Sequence, residues 1–67
     1  MMLKYYRVRA INPDLVAVFQ AQGTAPYWDI GANSLESAWR KFVTQRFGIL
    51  KPQSADYDIR LESIRSV

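Results

Sequence analysis

Tyr5, Arg7 and Arg9 alternate with Tyr6, Val8 and Ala10, and a strand would set the first three on one face and the second three on the other. Guanidinium groups grip phosphates in a fork geometry, and a tyrosine ring stacks on an unpaired base. Joined by Arg60, which also sits in an alternating stretch, these residues form a candidate nucleic-acid surface: Tyr5, Arg7, Arg9 and Arg60. The same types also make ordinary cross-strand pairs, with Arg7 and Arg9 facing Asp58 and Glu62. No RNP-type aromatic pair, GxxG loop or long basic run sharpens the nucleic-acid reading. A second basic group, Arg40, Lys41, Arg46 and Lys51, reads as a solvated helix face or as one that contacts phosphates or acids.

Tyr27-Trp28-Asp29 places two large aromatics in a segment bounded by glycines and holding Pro26. Trp28 either folds back to close one end of the core or, with Tyr27, anchors a partner, since Trp and Tyr are enriched at interface hot spots. Val16 and Val18 join them as candidate protein-interface residues, because a strand through Leu15, Ala17, Phe19 and Ala21 facing inward leaves these two valines on the open face.

Catalytic parts are scarce. The chain has no histidine and no cysteine, which removes thiol nucleophiles, histidine acid–base chemistry, disulfides and the usual zinc sites. Asp56 and Asp58 stand two apart, as a cation pair would, but no further ligands accompany them. Gly23, Gly31 and Gly48 are too scattered to cradle a phosphate. The expectation is a protein that is not an enzyme, with no cofactor, metal or small-molecule substrate.

The elements that must position these residues follow from period and punctuation. Residues 3–10 and 56–64 alternate as half-buried strands, with a break or bulge expected near Ser63. Asn12-Pro13-Asp14 carries turn chemistry, so residues 15–22 read as a second strand and the pair as a hairpin. Tyr27 to Ile30 has room for a short edge strand. Leu35, Ala38, Trp39, Phe42 and Val43 recur at helical spacing, giving a helix over about 34–47, with Asn33 or Ser34 as its N-cap and Gly48 and Pro52 ending it. A crossover from strand two over strand one then yields the order 2-1-3. The expected fold is α+β: one small ββαβ domain over 1–67, a three-stranded antiparallel sheet with one helix packed on one face.

A chain of 67 residues with 49% hydrophobic types is globular, yet cores this small supply only about 3–5 kcal/mol of net stability. Self-association is therefore expected, as a homo-oligomer and in the first instance a dimer. A net charge of +3 permits phosphate or acidic partners without demanding them. The charged N-terminal segment does not read as a signal peptide, and no apolar run suits a membrane span, so a cytoplasmic protein without membrane contact is expected. The function these features favour is a small interaction protein that associates with itself and docks onto another macromolecule. A nucleic-acid-binding module using the basic sheet face is the alternative.

Overall fold

A computed structural model describes residues 2–45 and 51–66. The chain runs β1 (Met2–Ala10), α1 (Pro13–Ala21), β2 (Tyr27–Gly31), α2 (Leu35–Gln45), a 3-10 turn (Ser54–Asp56) and β3 (Tyr57–Ser66). The three strands form one antiparallel sheet in the order β2-β1-β3. Since β2 and β3 both oppose β1, they run parallel to each other on its two sides, and α2 is the crossover between them. The α+β class and the 2-1-3 order are as the sequence indicates.

The second strand is not where alternation placed it. Residues 15–21 belong to α1, Gln22 is its C-cap, and β2 is the Tyr27–Gly31 segment. Asn12 is a helix N-cap rather than part of a hairpin turn: its side chain accepts from the Asp14 N–H at 3.0 Å. Pro13 sits in the first turn, where its missing N–H costs nothing, and Asp14 suits the positive helix end. At the other end Gly23 has φ +73°. The Gly23 and Thr24 amides donate to the carbonyls of Gln20 and Phe19 at 3.0 and 2.9 Å, which is the double-bonded stop that glycine in this conformation allows. Leu15, Val16 and Phe19 then fall on one side and pack on the core, while Val18 stays 50% exposed.

Helix α2 starts from Ser34, whose hydroxyl accepts from the Ser37 N–H at 3.1 Å. It is described to Gln45, so the expected helix end near Gly48, together with Arg46 and Phe47, lies outside the described residues. Both helices cover the same face of the sheet. Beneath them lie Tyr6, Val8 and Ala10 of β1, Ile30 of β2 and Tyr57 of β3, closed by Phe19, Ala38 and Phe42 from the helices. Trp28 is the keystone of this layer. Its ring centroid stands 5.1 Å from Phe19, 5.0 Å from Phe42 and 6.2 Å from Tyr57, so it ties both helices to two strands. Edge-on and tilted aromatic contacts of this kind add about 0.5–1.5 kcal/mol each beyond burial.

The β1–β3 ladder is long, from Met2↔Ser66 to Ala10↔Tyr57, and shifts register between Tyr5 and Tyr6. There Tyr6 opposes Leu61 and Tyr5 opposes Ser63, so Glu62 is the extra residue of a bulge, one position before the expected break. β2 reaches only as far as Tyr5↔Gly31. Beyond it, Met2 and Leu3 continue with β3 alone as a two-stranded ribbon.

Candidate interaction surfaces

The face opposite the helices is assembled by alternation and one bulge. β1 contributes Tyr5, Arg7 and Arg9, β2 contributes Tyr27 and Asp29, and β3 contributes Asp58, Arg60 and Glu62, with Arg65 brought to the same side by the bulge. Tyr5, Arg7, Arg9 and Arg60 are thus brought together. Val16 and Val18 are not among them, because a helix carries them to the roofed side of the sheet. Trp28 likewise faces the helices, while Tyr27, its neighbour, lies on the open face and is 42% exposed.

Arg7 stands at the centre. Its Nε donates to Asp29 Oδ1 at 2.8 Å and its Nη2 to Asp29 Oδ2 at 3.2 Å, a two-pronged contact across the register pair Arg7↔Asp29. Its Nη1 lies 3.7 Å from Glu62 Oε1, and the guanidinium stacks over the Tyr27 ring at 4.3 Å. The hydrogen bond from Arg7 holds the Asp29 carboxyl below its ordinary pKa, and the same bond raises that of Arg7. Arg60 lies directly opposite Arg7 on β3, a like-charge pairing that would destabilise the sheet. The carboxylates separate the two: Arg7 turns to Asp29, and Arg60 Nε donates to Asp58 Oδ2 at 2.7 Å. Arg9 reaches the same Asp58 at 3.8 Å, and Arg65 lies over the Tyr5 ring at 5.1 Å.

The expected facing of Arg7 and Arg9 with Glu62 and Asp58 is therefore present, with Asp29 as a further partner. Among the described residues, four arginines share the face with three carboxylates, so its charge is close to balanced. Depressions of 190 and 400 Å³ flank Arg7. Their walls are guanidinium, carboxylate and tyrosine, unlike the mostly apolar lining of small-molecule sites.

Asp56 and Asp58 do not act as a pair. The Asp56 side chain accepts from Asn12 Nδ2 at 3.1 Å, and Asp58 serves the arginines. On α2, Arg40 pairs with Glu36 at 3.0 Å, and Lys41 Nζ donates to the Gly31 carbonyl at 2.7 Å.

A second surface comes from the far end of the β1–β3 ribbon. Met2, Leu3, Leu61 and Ile64 are 63%, 40%, 48% and 46% exposed. Met2 and Ile64 lie on the helix side of the sheet, with Lys4 opposite Ile64, and Leu61 follows on β3 opposite Tyr6. Leu61 is thus left largely open at the edge. Asp29 and this apolar end were both readable: Tyr27-Trp28-Asp29-Ile30 alternates, and Leu3, Leu61 and Ile64 fall in segments read as strands. What the sequence did not show was how far the ribbon outruns β2. No protein-family model, curated protein or solved structure matches the chain. Among the described residues, no helix is long and apolar enough to cross a membrane.

Proposed function

We propose that the protein is a small non-enzymatic interaction protein that associates with itself and docks onto another macromolecule. The observation that carries this reading is the apolar surface of the β1–β3 ribbon, where Met2, Leu61 and Ile64 stand exposed on the helix side of the sheet and Leu3, opposite Arg65, on the other. Exposed apolar side chains gain about 25 cal/mol per Å² when a partner removes them from water, and contiguous exposed patches mark interaction sites. The open face supports the same reading from the other side. Its charges are balanced, so it suits a protein surface better than a polyanion.

The test is an affinity capture and a mass measurement on the same protein. Changing Met2 and Ile64 to Ser should abolish retention of the docked partner while leaving the thermal transition in place, because neither side chain is in the core. A mass of one protomer at high concentration, with nothing specifically retained, would refute the reading.

One observation favours nucleic acid as a second reading. Arg9 and Arg60 share a single carboxylate, and their side chains are 54% and 73% exposed. On that reading single-stranded RNA or DNA binds at low salt, affinity falls steeply as salt rises, and changing both arginines to Ala weakens it. No anisotropy change at low salt would dismiss it.

A further inference from the structure

We propose that two copies of the chain pair through the outer edge of β3, antiparallel about a two-fold axis at Ile59, so that the two sheets become one. The proposal rests on the self-association in the reading above and assigns it a surface.

The direction of the backbone groups comes first. The Ala10 N–H donates to the Pro26 carbonyl at 2.9 Å, and the Lys4 carbonyl accepts from Ala32 at 3.0 Å. Even-numbered residues of β1 thus turn their backbone groups toward the β2 side. The Ile11 N–H donates to Asp56 at 2.8 Å, so odd-numbered residues turn toward β3. In the register Arg9↔Asp58 and Arg7↔Arg60, Asp58 and Arg60 spend their backbone groups on β1, and Tyr57, Ile59 and Leu61 direct theirs outward. The Tyr57 N–H returns to the Ser54 carbonyl. That leaves the amides of Ile59 and Leu61 and the carbonyls of all three residues on an edge that no other described strand covers.

The side chains choose the occupant. Tyr57-Asp58-Ile59-Arg60-Leu61 alternates apolar and charged residues, and its two charges are of opposite sign about Ile59. An isologous contact brings residue i to j and j to i. With the axis at Ile59, Asp58 meets the partner's Arg60 and Arg60 meets the partner's Asp58 on the open face. On the helix face Ile59 meets its own copy, and the half-exposed Leu61 meets the partner's Tyr57. Neighbouring registers fail. An axis at Arg60 opposes the two copies of Arg60 and sets Asp58 against the partner's Glu62. An axis at Asp58 opposes the two copies of Asp58. Further along, the Glu62 bulge interrupts the ladder, so the straight segment 57–61 is the part that can pair. Alternating charges on an edge also serve to repel foreign strands, and here the same pattern admits its own inverted copy.

The mass of the native protein by light scattering should be that of two protomers. Asp58→Arg and Arg60→Asp should each give a monomer, and an equimolar mixture of the two should restore the dimer, since each then presents charges of one sign to the other. If either variant is unfolded by circular dichroism, amide exchange of the native protein decides. The Ile59 and Leu61 amides should exchange at least about tenfold more slowly at high than at low concentration. A dimer in which those amides exchange fast at every concentration overturns this pairing and leaves self-association standing. A monomer that still captures a partner overturns the pairing and leaves docking standing. A monomer that captures nothing removes both.

Discussion

Tyr57 brings its ring to the aromatic core and its hydroxyl with it, and that oxygen is buried with no hydrogen-bond partner among the described residues. An unmet buried hydroxyl costs about 1–3 kcal/mol. Tyr57→Phe should therefore raise stability by about 1 kcal/mol, seen as a higher urea midpoint at unchanged slope. A lower midpoint would mean that the hydroxyl is satisfied in solution. Burial also pushes the phenol above its ordinary value of 10.0. Because the folded value exceeds the unfolded one, stability is intact below the unfolded value and falls as pH rises toward the folded one. Tyr57→Phe should flatten that alkaline decline. Asp29 behaves in the opposite sense. Arg7 depresses its folded value below the ordinary 3.8, so its contribution is present above 3.8 and disappears as pH falls through the folded value. Asp29→Asn should make stability less steep in acid, measured by urea titrations from about pH 6 down to about pH 2.

At the scale of elements, α1 is where sequence and structure part. Its apolar residues occupy both alternating sets, so period two carries no signal between Leu15 and Ala21. The informative residues are at the ends. Asn12 caps the helix and also bonds Asp56, and Gly23 closes it with a positive φ. The triplet Asn12-Pro13-Asp14 serves a turn and a helix start with the same chemistry, and only Gly23 ten residues on separates the two. Gly23→Ala meets no atom within 4 Å, so its cost is backbone strain alone, about 1 kcal/mol. That should lower Tm by roughly 4–8 °C for a domain of this size. Asn12→Ala should cost about 1–2 kcal/mol, since one side chain holds both the helix start and the turn before β3. Helix α2, by contrast, was plain in the sequence, because its apolar residues keep a single face and Ser34 precedes them.

For the molecule as a whole, the sheet order was legible because a crossover between two outer strands leaves few routes, whichever segment forms the second strand. The one-sided roof was legible too, from the alternation of β1. Its extent was not, since the roof has two helices and they share the load through Trp28. Phe42, fully buried between Trp28, Trp39 and Tyr57, is where that load concentrates. Phe42→Ala removes about 3–5 kcal/mol, as much as a core of this size supplies. The variant should lose its near-ultraviolet circular dichroism and melt without a cooperative transition.

The central position of β1 also governs how the protein reaches its fold. The strand nearest the start of the sequence makes its longest ladder with the strand that comes last, so the largest loop in the chain must close before the sheet is whole. Both helices are local and form quickly, but neither has a finished surface to rest on until that closure occurs. Folding should accordingly be paced by the meeting of residues 2–10 with 57–66, more slowly than in helical proteins of equal length, and the fluorescence of Trp28 and Trp39, both packed on Tyr57, would record the moment it happens.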